Sequence, residues 1–94
     1  MSQLDNNSDR RIAILNDGCR HRLRILRESL GLSRPKFAAM LGIPPTTLKN
    51  YELYYREISG GLLLLIANHP TLSSYLGWLA TGQGNAPAAP ATAA

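Results

Sequence analysis

Leu32 to Leu53 reads LSRPKFAAMLGIPPTTLKNYEL, and this stretch decides the fold. Ser33 is a helix N-cap type, its hydroxyl able to accept from the free N–H groups of a first turn. Arg34 to Leu41 follows, with Pro35 in the first turn, where a missing N–H costs nothing. Phe37, Ala38 and Leu41 fall on one apolar face. Gly42 supplies the left-handed residue that ends a helix. Ile43 and Pro44 each precede a proline and are pushed away from helical geometry. Pro45 suits the first position of the next helix. That second helix is expected over 45–53, with Leu48 and Tyr51 turned inward. Its other side carries Thr46, Thr47, Lys49 and Asn50. The unit predicted is a helix, a tight turn and a helix.

The surrounding composition bounds what this unit can belong to. Ninety-four residues make one small domain, and 45% hydrophobic content is enough for a core. The formal charge of +4 and a pI near 9.7 suit a polyanionic partner. All ten Lys and Arg residues lie before Ser59, and no Asp, Glu, Lys or Arg follows it. The charged half is thus expected to face a polyanion, and the uncharged half to supply core and partner contacts. A solvated helix surface is the plainer explanation of so many arginines, but beside a helix, turn and helix of this kind a polyanion is favoured. Cys19 is the single cysteine, so no internal disulfide forms, and a reduced, cytoplasmic setting fits. The start, MSQLDNNSDRR, is not a signal peptide, and Leu62 to Ala67 is too short to span a bilayer.

Working outward toward the N-terminus, residues 1–16 are expected to form a mobile arm and a short helix from Ser8 to Asn16. Its buried side would be Ile12 and Leu15, or Ile14 and Leu15. Asn16-Asp17-Gly18 should break it. Whether this piece packs on the domain, a second subunit or a polyanion is left open by its residues. Asp17 is then the N-cap of Cys19 to Leu30, where Cys19, Leu23, Leu26 and Leu30 make a helical stripe. Arg20, Arg22, Arg24 and Arg27 decorate its other faces, and Gly31 ends it.

Toward the C-terminus, Tyr54 to Ile58 is a loop. Ser59 should cap a fourth helix, Gly60 to Asn68, whose Leu62–Ile66 run is apolar all round and wants burial on every side, more than so small a domain easily supplies from its own chain. His69-Pro70 ends it. Thr71 is expected to cap a fifth helix, Leu72 to Ala80, with Leu72, Tyr75, Leu76 and Leu79 on one face. Trp78 would point elsewhere and stand exposed, as an interface anchor does. Residues 83–94 are Gly-, Pro- and Ala-rich, uncharged and without a stripe, and are expected to be disordered.

The central stretch resembles the helix-turn-helix of the Cro and CI repressor family of phages, also called the XRE family. Leu32, Ser33, Phe37, Ala38, Leu41, Gly42, Ile43, Thr47, Leu48, Tyr51 and Glu52 match that family's pattern in register. Looser likeness extends over Cys19 to Gly82, and Tyr75 to Gly82 resembles the close of many phage-type members. Arg34 stands where Gln is usual, Pro44 where a Ser cap is usual, and Leu53-Tyr54 where a polar-Gly pair often ends the second helix. The resemblance implies an all-α, five-helix, lambda-repressor-like domain over 17–82, with the short N-terminal arm or helix before it and the tail after it.

It also implies a function: sequence-specific binding of double-stranded DNA, with the second helix in the major groove. The expected base-contacting residues are Pro45, Thr46, Thr47, Lys49 and Asn50. Lys49 suits guanine, Asn50 adenine, the threonines an edge or a thymine methyl, and Pro45 an apolar contact only. Ser33, Arg34, Lys36, Tyr54, Arg56 and Ser59 are the expected phosphate contacts. Glu52 is expected to brace the loop or pair with an arginine. One short helix cannot supply operator-level specificity, so a homodimer on a palindromic operator is expected. In the family the last helix commonly pairs across a two-fold axis, which makes Leu72, Tyr75, Trp78 and Leu79 the expected dimer interface. The leading expectation is a dimeric transcriptional repressor of phage or prophage type in the cytoplasm. The alternative is an antitoxin-type or adaptor protein whose apolar C-terminal helices bind a protein partner while DNA binding serves autoregulation. No paired carboxylates, Ser/His/Asp set or phosphate loop is present, and Cys19, His21 and His69 have no recognisable catalytic setting. No enzyme, cofactor, metal or membrane contact is expected.

Overall fold

The computed structural model describes residues 2–88, with side chains from residue 7 onward. It is all-α. Helix α1 spans Ser2–Ser29, α2 Arg34–Leu41, α3 Pro45–Glu52, α4 Gly60–Ala67 and α5 Leu76–Thr81, with a 3₁₀ turn at Ser73–Tyr75 before α5. No strand occurs among the described residues.

The helix–turn–helix forms as its residues dictate. Ser33 is extended, and its Oγ accepts from the Lys36 N–H, while Pro35 occupies the first turn. Gly42 closes α2 at φ 72°, in the left-handed region where a side chain would be strained. The Gly42 and Ile43 N–H groups return to the Ala39 and Ala38 carbonyls. Pro44 offers no side-chain cap to α3, but its carbonyl accepts from the Thr47 and Leu48 N–H groups. Phe37, Ala38, Leu41, Leu48 and Tyr51 are all buried and join Cys19, Leu23 and Leu26 of α1. Leu62 and Ile66 of α4, Leu72, and Leu79 of α5 complete this single core.

Two expectations are corrected. First, Asn16-Asp17-Gly18 does not break a helix, because α1 runs through it. These residues lower helix propensity but leave the hydrogen-bond ladder intact, and tertiary contacts outweigh a propensity deficit of this size. Asn16 Oδ1 accepts from the Ile58 N–H at 2.7 Å, and Asp17 accepts from Arg20 Nη1 at 2.8 Å instead of capping a helix. Gly18 sits against Arg22, whose Nη1 would lie 3.1 Å from an added Cβ. Second, Thr71 does not cap α5. His69 Nδ1 accepts from the Thr71 and Leu72 N–H groups, and the segment passes through the 3₁₀ turn before α5 begins at Leu76. Helix α4, as expected of so small a domain, is not buried all round by its own chain. Leu62 and Ile66 are buried, but Leu64 is 65% exposed and Leu65 is exposed beside it.

Of the tail expected over 83–94, residues 83–88 form no helix, and Asn85 donates to the Ser74 carbonyl. Residues 89–94, like Met1, lie outside the described residues. Helix α1 has 28 residues, about 42 Å at the usual rise per residue. The molecule's two shorter dimensions are 27 and 25 Å. Its N-terminal turns therefore extend past the body.

Candidate nucleic-acid interface

Helix α3 is amphipathic in a way that leaves one polar face outside. Leu48, Tyr51 and Glu52 are buried, whereas Pro45, Thr46 and Lys49 are exposed and Asn50 is partly so. Thr46, Lys49 and Asn50, at i, i+3 and i+4, thus share a surface of short and long hydrogen-bonding groups. Thr47 is turned further in. It lines an apolar groove with Ile43, Tyr51, Leu62 and Leu65, so it stands at the flank of that surface and not at its centre.

The far end of α3 is held by a buried ion network. The Glu52 side chain is fully buried; its Oε2 accepts from Arg27 Nε at 2.8 Å and its Oε1 from Arg27 Nη2 at 3.1 Å. Arg34 Nε adds a third contact to Oε1 at 3.0 Å. Arg27 Nη1 also reaches the Leu32 carbonyl. One carboxylate thereby ties α3 to α1 and to the start of α2, with charge-assisted bonds that fix direction as well as distance. This places Arg34, an expected phosphate contact, in the scaffold through its Nε; its side chain is 31% exposed, so part of it still reaches solvent.

A second arginine clamps the loop after α3. Arg20, though 5% exposed, has every branch satisfied. Nε donates to the Tyr51 carbonyl at 2.8 Å, Nη1 to Asp17 and Nη2 to the Arg56 carbonyl at 3.2 Å. Its guanidinium lies 4.1 Å from the Tyr54 ring centroid, in cation–π contact. Tyr54 is the one described non-glycine residue with positive φ, 72°, at the place where the resembled pattern often has glycine. Tyr54 and Tyr55 are 69% and 75% exposed, and the Arg56 side chain is exposed over the Tyr51 ring. The loop therefore presents two phenols and a guanidinium to solvent beside α3.

The other expected phosphate contacts divide. Lys36 is exposed on α2. The hydroxyls of Ser33 and Ser59 serve as helix caps, and Ser59 Oγ also meets Tyr51 OH at 2.9 Å. Arg22, on α1, donates to the Leu79 carbonyl at 2.8 Å and closes the C-terminal end of α5. Arg20, Arg22 and Arg27 are thus inner braces, which their residue type concealed.

The residues of the expected dimer face divide. Leu72 and Leu79 are fully buried in the chain's own core and have no surface left for a partner. Trp78 is not an exposed anchor: it is half-buried and packs against that core, as does Tyr75. The Cys19 thiol is pushed up from its ordinary pKa by burial, against the opposing pull of Arg22 and Arg20, and stays protonated at neutral pH. No group of His, Cys, Asp or Glu residues that could hold a metal occurs among the described residues, and no helix there is long and apolar enough to cross a membrane.

A family model described as helix-turn-helix matches residues 23–74, more than half of the chain. No curated protein and no solved structure matches.

Proposed function

The chain belongs to the XRE-type helix-turn-helix family of DNA-binding transcriptional regulators, and on that premise we propose that it is a dimeric repressor reading a palindromic operator. Helix α3 enters the major groove. Lys49 donates to guanine O6 or N7, Asn50 meets adenine, Thr46 takes an edge or a thymine methyl, and Thr47 and Pro45 lie at the margin of the contact. Lys36, Tyr54 and Arg56 hold the flanking phosphates, with the exposed part of Arg34 beside them and the Ser33 and Ser59 caps at the helix starts. The observation that carries this reading is the outward Thr46–Lys49–Asn50 face, on a helix whose inner side is locked by Glu52 to Arg27 and Arg34. A reading head must not swivel, and this one is bolted at the end nearest its loop.

The test is selection of bound duplexes from a random pool, with the Lys49→Ala/Asn50→Ala double variant alongside. A two-fold symmetric site that blurs in the variant is expected. The same site from both proteins would remove α3 as the reader.

Exposed Leu64 and Leu65 favour a second reading, in which α4 holds a protein partner in an antitoxin-type or adaptor role. A stoichiometric partner released by Leu64→Glu would support it. A clean homodimer indifferent to that change would set it aside.

A further inference from the structure

The core stripe of α1 does not stop where the body does. Cys19, Leu23 and Leu26 are buried beneath the other helices. Leu15 and Ile12 continue the same stripe toward the N-terminus, at i−4 and i−7 from Cys19, yet they are 54% and 49% exposed. A helix face that is core for half its length and bare for the rest lacks a partner, not a pattern. The family match begins at residue 23, so this segment is an addition to the recognised unit.

Where α1 leaves the body, a groove of about 180 Å³ opens between it and the α4–α5 side. Ile12, Leu15 and Cys19 line it from α1, Leu63 from α4 and Ala80 from α5, with Ile58 and the exposed Glu57 from the loop before α4. It is smaller than the roughly 300–1,000 Å³ of small-molecule sites, and aliphatic side chains from a helix suit it better. Glu57 makes no ion pair among the described residues. Arg11, exposed and four residues before Leu15, flanks the bare stripe and is likewise without a carboxylate partner there.

We infer that a second copy of this chain seats on this groove, its α1 lying across the first so that Ile12 and Leu15 of each copy fill the groove of the other. The occupant follows from self-complementarity. The same surface carries an apolar ridge flanked by a cation and an apolar groove with an exposed anion in its lining, and a two-fold axis brings each onto the other. Arg11 of one copy then meets Glu57 of its mate, twice. A nucleic acid would meet the Arg11 side of the ridge but offers nothing to Ile12, Leu15 or the groove, and Glu57 would repel it. The interface rests on the operator reading for its purpose, since it supplies the second reading helix; it replaces α5, whose leucines are spent in the core.

Sedimentation of the full chain without DNA tests it. The wild type is expected to be a dimer at micromolar concentration. Ile12→Glu and Leu15→Glu, at half-exposed positions, should keep the helical circular dichroism and melting of the wild type. Each should weaken the dimer by about tenfold or more. Arg11→Glu and Glu57→Arg should each weaken it by opposing like charges. An equimolar mixture of those two variants should regain dimer, because the mixed pair has both contacts of opposite sign. A monomeric wild type would overturn the inference. So would a dimer indifferent to both glutamate substitutions, or a charge rescue seen only with both changes in one chain. A dimer of the expected kind that selects no duplex would leave the interface standing and sink the operator reading instead.

Discussion

Arg27 Nε lies 2.8 Å from Glu52 Oε2, and the Glu52 side chain has no solvent exposure. A buried carboxylate of this kind is tolerated only while its oxygens are occupied, because desolvation of an unpaired charge exceeds what packing returns. Arg27→Ala should therefore cost about 3 kcal/mol of stability, the lower end of the range for breaking a buried pair, since Arg34 still covers Oε1. Replacing Arg27 and Glu52 together by methionine should recover much of that loss while loosening α3. Urea midpoints would show both effects, and an Arg27→Ala protein within ~1 kcal/mol of wild type would mean that Glu52 relaxes to solvent.

The strained Tyr54 separates two effects that usually travel together. A left-handed L-residue costs about 1–2 kcal/mol, and the Arg20 stack offsets roughly 0.5–1 kcal/mol of it. Tyr54→Ala keeps the strain and loses the stack; Tyr54→Gly loses both. The glycine variant should thus be the more stable of the two by about 1 kcal/mol, against the usual order of these residues. Both should lose the same DNA affinity if the phenol meets a phosphate. Thermal melts and binding isotherms on the three proteins would decide this, and alanine proving more stable would place the left-handed backbone in doubt.

Salt dependence should sort the basic residues. Lys36→Ala should flatten the slope of log K against log salt by about 0.9 without touching stability, as loss of one phosphate contact does. Arg34→Ala should instead lower stability as well as affinity, because its Nε is bonded to Glu52. Parallel unfolding and binding titrations distinguish the two. An Arg34→Ala protein of unaltered stability would show that Arg27 alone suffices for Glu52.

The helix–turn–helix was legible because its signals are local. Ser33, Pro35, Gly42 and Pro45 each act within a few residues, and α2 begins and ends where they direct. What was not legible depended on partners far along the chain. Asn16-Asp17-Gly18 looks like a break until the Ile58 N–H, 42 residues on, claims Asn16. Arg20, Arg22 and Arg27 look like a polyanion surface until the carbonyls of Tyr51 and Leu79 and the carboxylate of Glu52 are in place. His69 offered no chemistry in sequence and turns out to accept from two backbone N–H groups. The outward face of α3 was readable, save that Thr47 stands at its flank. The burial of Leu72 and Leu79 was not, because leucine is equally suited to a core and to a partner.

Arg20 and Arg22 stopper the carbonyl ends of α3 and α5, and both lie upstream of residue 23, where the recognised family segment begins. The unit that recognises is therefore shorter than the unit that folds. Anyone transplanting this reading head into another protein has to carry the last three turns of α1 along with it. A graft cut at the family boundary would leave α3 with an open end, lose α5 altogether and strip Tyr54 of the guanidinium that steadies it.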